Sequence, residues 1–154
     1  MAEFEFLRPT DKPAIIGVST PEYLAACRST LQELEYKVHV SPDHEDFVIR
    51  FGQIQYQIAI VEERFCCESI IENHALARLQ FMPMTLRRHA VTLVIGESFQ
   101  SLNTMQAFNQ SVHAVLNPID IGSLKQVLMQ IVSENDLFLS VYRDTQSRIA
   151  QGKI

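Results

Sequence analysis

Tyr56-Gln57-Ile58-Ala59-Ile60-Val61-Glu62-Glu63 is the stretch on which the fold turns. From Ile58 to Val61 every side chain is apolar, and the run stops abruptly on two carboxylates. It reads as a strand with a polar edge at its carboxyl end. Working outward, Ala14-Ile15-Ile16-Gly17-Val18 is short, nearly all apolar and β-branched, which suits a strand buried on both faces of a parallel sheet. Lys37 to Val40, Val91 to Ile95 (ending at Gly96) and Ala114 to Leu116 (ending at Asn117-Pro118) supply three more strands.

Helical patterns fill the gaps. Thr20 is placed to cap a helix beginning at Pro21, with capping-box spacing between Ser19 and Glu22 and an apolar stripe through Tyr23, Leu24, Cys27, Leu31 and Leu34. Ser41-Pro42 opens a second helix through Phe47, Val48 and Phe51, stopping near Gly52. A third is expected from about Glu68 to Leu79, followed by a Met-rich stretch around Pro83, and a fourth from Ser101 to Val112. Asp120 is expected to cap a long final helix. Strands alternating with helices in this way predict an α/β fold: a doubly wound five-stranded parallel sheet, flavodoxin-like, with helices on both faces and the functional edge at the strands' carboxyl ends. The chain divides into an arm over residues 1–12, one domain over 13–132 and a C-terminal helical extension over 133–154.

With 154 residues there is room for one full core and not for two. Apolar residues make up 47% and charged residues 20%, as in ordinary globular proteins. No apolar run approaches the roughly 18 residues of a membrane span, and the acidic opening MAEFEFLRPTDK is no secretory leader, so a cytoplasmic protein is expected. At net charge −5, with Arg87-Arg88 the only basic cluster, nucleic-acid binding is not expected. Cys27, Cys66 and Cys67 lack a CxxC spacing and read as reduced thiols. The five histidines (His39, His44, His74, His89, His113) have no metal-ligand spacing, and no glycine-rich loop or nucleophile elbow is present. Neither catalysis nor a cofactor is expected.

Two motifs carry a family resemblance. Tyr56 to Glu62 is similar to the tyrosine-acid-apolar run that ends, in response-regulator receiver domains, on the aspartate that accepts phosphate. Leu116-Asn117-Pro118-Ile119-Asp120 is similar to the family's lysine-proline-aromatic-aspartate turn. The chain resembles a degenerate member, a pseudo-receiver, over about Lys12 to Val132. The resemblance places Ser19 and Thr20 where an acid pair would hold magnesium, Glu62 at the acceptor, Gly96 at the hydroxyl position (with Ser98 nearby) and Asn117 at the lysine. An off-by-one alignment puts Glu63 at the acceptor instead. The switch aromatic falls on Ala114. Neutral hydroxyls suit magnesium poorly, and glutamate is one methylene too long for in-line phosphoryl transfer. Phosphorelay chemistry is therefore expected to be lost. Glu62 then either supplies a fixed charge imitating phosphate or points into solvent.

The last helix adds a second expectation. Leu124, Leu128, Ile131, Asn135, Phe138, Tyr142, Thr145 and Ile149 follow alternating four-three spacing, and Leu137, Phe138, Val141 and Tyr142 stay apolar beyond the reach of the sheet. Such a face is expected to bury itself in a homodimer or against a protein partner, or else to fold back on its own domain. Met82-Pro83-Met84 reads as core packing or an adaptable surface, and Glu3-Phe4-Glu5-Phe6 as an edge strand, a docking arm or a frayed end. Together these features point to a two-component signalling module working through protein–protein contacts. A flavodoxin-like sensor with a small molecule in the crevice is the competing reading.

Overall fold

The computed structural model describes residues 7–152; the Glu3–Phe6 segment lies outside them. The five runs form strands Pro13–Gly17 (β1), Lys37–Val40 (β2), Ile58–Glu62 (β3), Val91–Ile95 (β4) and Ala114–Leu116 (β5). They make one all-parallel sheet in the order β2-β1-β3-β4-β5. The helices are Pro21–Glu33 (α1), His44–Gln53 (α2), His74–Phe81 (α3), Met84–Arg87 (α4), Thr104–Asn109 (α5) and Leu124–Ala150 (α6).

Strand side chains alternate between the two faces. Ala14, Ile16, Ile58, Ile60, Leu93, Ile95 and Leu116 pack under α1 and α6 with Cys27, Leu31, Leu124, Leu128 and Ile131. Ile15, Ala59, Val61, Val94 and Val115 face the other way, onto Phe47, Phe51, Leu76, Leu79 and Ala107 from α2, α3 and α5. Both sheet faces are covered, which is why β1, β3, β4 and β5 read as near-continuous apolar runs, while the partly buried edge strand β2 keeps Lys37 and His39. The winding reverses between β1 and β3, which pair with Gly17 beside Val61. That reversal leaves a crevice at the strands' carboxyl ends and brings the residues after β1 against those after β3.

Several boundaries differ from the sequence expectations. Thr20 does stand at the α1 N-cap, but its hydroxyl makes no capping bond. Helix α2 starts at His44 rather than Ser41, because the Asp43 carboxylate accepts the Asp46 amide; Gly52 is then its penultimate residue. The helix expected from Glu68 is a short 3-10 turn, Ile70–Glu72, broken from α3 by Asn73, which caps α3 through the Leu76 amide. The Ser101–Val112 helix shrinks to the six residues of α5. Asp120 does not cap the last helix. It accepts from the Ser101 hydroxyl, inside a 3-10 turn (Pro118–Ser123) capped by Asn117.

Helix α6 runs unbroken for 27 residues, and its burial stops at Ile131. It does not turn back. Asn135, which would weaken a coiled-coil seam, lines a groove together with His113, the residue just before β5. His113 Nδ1 accepts the Thr92 amide at 3.0 Å, so the ring is held neutral, and burial pushes its pKa below the ordinary histidine value. Burial also lowers His89, and it lowers His44, which packs on His74 and accepts the Ala75 amide. The unfolded chain takes up protons near pH 6.5 that these folded rings refuse. Their contribution to stability is complete above about pH 6.5 and is lost as pH falls below it. Urea midpoints should be flat from pH 7 to 8 and decline below about 6.5, and His113→Gln should shrink the decline.

Candidate functional site

The two-residue period of a strand sends Glu62 and Glu63 to opposite sides of the sheet edge. Both are nearly buried, at 6% and 7% exposed. Glu62 follows the parity of Ile58 and Ile60 and meets the start of α1. Its Oε1 accepts the Ser19 amide at 2.9 Å and the Thr20 amide at 3.0 Å, with the Ser19 hydroxyl at 3.4 Å. Its Oε2 accepts the Thr20 hydroxyl at 2.6 Å. The carboxylate thus ties down the two residues just before α1, and the positive end of that helix stabilises its charge. The expectation that Glu62 points into solvent is overturned. The length of the glutamate side chain carries its carboxylate to this loop.

Glu63 clasps the next loop. Its amide continues the ladder to the Ile95 carbonyl at 2.7 Å, and its carboxylate accepts from the Ser98 hydroxyl and, at 3.4 Å, from the Ser98 amide. Gly96 lies directly beneath. A Cβ there would fall on the Glu63 carboxylate and within 2.6 Å of the Glu63 Cβ. Asn73, 1% exposed, donates to the backbone carbonyls of both Glu62 (2.8 Å) and Glu63 (3.2 Å) while capping α3. The Ser98 and Asn73 contacts were invisible to an alignment by position. Asn73 was signalled only by its own capping spacing, Asn73-His74-Ala75-Leu76, inside a pattern that otherwise reads as continuous helix.

Ser19, Thr20 and Glu62 are therefore brought together, Gly96 serves Glu63, and Asn117 turns away. The Asn117 amide donates to the carbonyls of Glu97 (3.3 Å) and Phe99 (2.8 Å), and its oxygen accepts from Ile119. Ala114 is buried beneath α6. The remaining crevice, between Thr20, Tyr23, Glu62, Glu63, Glu97 and Pro118, measures about 240 Å³. The phenol of Tyr23 titrates above its usual range, through burial first and then the Glu97 and Glu62 charges. A receiver-type magnesium ion does not fit: both oxygens of Glu62 are already engaged, and Ser19 and Thr20 offer neutral hydroxyls. Among the described residues no three His, Cys, Asp or Glu side chains cluster as metal ligands.

A second feature lies at the other end of the strands. On α6, Leu137 (69%), Phe138 (68%), Val141 (61%) and Tyr142 (39%) are exposed. Phe138, Leu139 and Tyr142 face Met84, Arg88 and His113 across a groove of about 440 Å³. The Arg88 guanidinium lies over the Tyr142 ring, 5.5 Å from its centre, and ties this part of α6 to α4.

No family model and no curated protein matches this chain. Solved structures are similar to it. A response regulator receiver domain protein (CheY-like) from Methanospirillum hungatei JF-1 aligns with a TM-score of 0.62 at 15% identity, covering 82% of this chain and 98% of that one. The signal receiver domain of a modulated diguanylate cyclase from Desulfovibrio desulfuricans G20 gives 0.59 at 21% identity, covering 82% and 98%. A response regulator protein from Burkholderia pseudomallei, solved with a phosphorylated aspartic acid, calcium ion and citrate, gives 0.58 at 15% identity, covering 94% and 88%. The fold is the CheY-like receiver fold with a long C-terminal helix.

Glu62→Ala strands the Ser19 and Thr20 amides and should cost about 1–3 kcal/mol, with faster hydrogen exchange at those two amides. Gly96→Ala should cost about 1–3 kcal/mol by overpacking. Gly52→Ala, where an added Cβ meets nothing within 4 Å, should instead stabilise by about 0.5–1 kcal/mol. Urea denaturation reads all three.

Proposed function

We propose that this chain is a receiver-like signalling module that accepts no phosphoryl group and acts by binding other proteins, first of all a second copy of itself through α6. The observation that carries the reading is the Glu62 clasp: the carboxylate at the end of β3 is spent on four donors of the β1–α1 loop. Phosphoryl transfer needs an oxygen free for in-line attack and a cation to spread the developing charge. Both Glu62 oxygens already accept hydrogen bonds, and Asn117 and Gly96 supply neither a lysine nor a hydroxyl. Ser19, Thr20, Glu62, Gly96 and Asn117 are, on this reading, the converted positions of a phosphorylation site.

The clasp also replaces what phosphorylation would switch. A fixed charge at the amino end of α1 holds the β1–α1 loop in one arrangement, so Glu62 works as a permanent tie rather than as a copy of phosphate. The module then presents one surface, and output rests on which protein meets it. We place it in the cytoplasm, with signalling proteins of this fold; no helix among the described residues is long and apolar enough to cross a membrane. The small-molecule alternative has less support, since a crevice of about 240 Å³, walled by three carboxylates and Arg64, falls below the roughly 300 Å³ at which drug-sized sites begin.

Incubation with acetyl phosphate and magnesium should leave the intact mass of the protein unchanged; a phosphoryl adduct mapped to Glu62 or Glu63 overturns the reading. Light scattering should give a dimer for the full chain and a folded monomer for a chain truncated after Val132. A monomer in both cases would remove self-association from the proposal and leave α6 to a different protein.

A further inference from the structure

Beyond Ile131 the α6 surface splits into two adjoining lines. One, through Asn135, Phe138 and Tyr142, looks toward the groove under α4. The other runs Glu134, Phe138, Val141, Thr145 and Arg148, spaced in alternating fours and threes along one side of the helix, with Leu137 beside Phe138. Its middle is apolar and exposed, and its ends are opposite in charge: Glu134 is four residues from Gln130, with which it shares a hydrogen bond, and Arg148 has only the exposed Asp144 one turn away, at 3.2 Å.

That polarity decides how a second copy can lie on this side. Parallel helices in register would set Glu134 against Glu134 and Arg148 against Arg148. Antiparallel helices crossing at Val141 set each Glu134 against the other copy's Arg148, twice, and keep Leu137, Phe138, Val141 and Tyr142 in the dry middle. The extension is under three heptads long, too short for a free-standing two-stranded coil. The groove against Met84 and Arg88 supplies the extra wall such a short pair needs. We propose that two copies of this chain pair through α6 in antiparallel orientation about Val141, each helix also resting along the other copy's groove beneath α4. This rests on the reading that α6 carries self-association, and adds its orientation and register.

Ser133, Ser140 and Ser147 are exposed and sit seven residues apart on the outer side of α6, away from this line. In a Cys66→Ser, Cys67→Ser background of the full chain, Ser133→Cys, Ser140→Cys and Ser147→Cys can each carry a spin label, the remaining Cys27 being buried. Pulsed electron paramagnetic resonance then reads the distance between like labels in the dimer, with mass measured alongside by light scattering. The antiparallel pair displaces like labels along the axis by about 3 Å at 140, about 18 Å at 147 and about 24 Å at 133, at 1.5 Å rise per residue. The shortest distance at 140, with longer ones on both sides, is the expected result. Equal distances at all three sites mean a parallel pair, which overturns this inference and leaves the dimer standing. A dimer whose distances rise or fall steadily along the helix places the interface away from α6 and also overturns it. A monomeric mass with no coupling between labels removes the dimer and this pairing together.

Discussion

A carboxylate removed from water must be met by donors, and the end of β3 removes two in succession. Much of the strands' carboxyl edge is arranged around that demand. The side-chain period divides the pair, sending Glu62 to the β1–α1 loop and Glu63 to the loop after β4. Asn73 fastens the backbone between them and starts α3 with the same side chain. Three connections of the fold are thereby tied to two adjacent residues. An edge that commonly stays open for ligands in doubly wound sheets is here largely filled by the protein's own polar groups.

The sheet was legible because burial on both faces leaves little room for polar residues. Ala14–Val18, Val91–Ile95 and Ala114–Leu116 announce themselves by composition alone, and right-handed crossovers make the sheet doubly wound. Helix starts were less legible. At Asp43 and Asn73 a polar side chain won a backbone amide that the apolar spacing had assigned elsewhere, and at Thr20 the hydroxyl was claimed by Glu62 across 42 residues of sequence. Local capping rules see only local competitors. Asp120 is the same case, drawn off by Ser101.

Of the site, the identities were readable and the partnerships were not. Ser19, Thr20 and Glu62 could be named from a motif, but their mutual hydrogen bonds depend on the length of the glutamate and the pairing of β1 with β3. Gly96 looked like a lost hydroxyl and is instead the space into which Glu63 folds. The long helix shows the opposite relation. Its four-three stripe was plain in the sequence, yet the stripe turns out to serve two surfaces: Asn135 faces the chain's own His113, while Leu137 and Val141 remain exposed.

The packing of Glu63 over Gly96 bears on ancestry as well as on stability. If this chain descends from a phosphorylated form, the road back is closed to single steps. A serine or threonine at 96 collides with Glu63 while that glutamate stays folded inward. An aspartate at 62 shortens the arm that satisfies the Ser19 and Thr20 amides before any acid pair exists to hold a cation in its place. Under that descent each single reversion carries a structural cost of its own, so the two glutamates would act as a ratchet that holds this edge while sequences drift elsewhere on the fold.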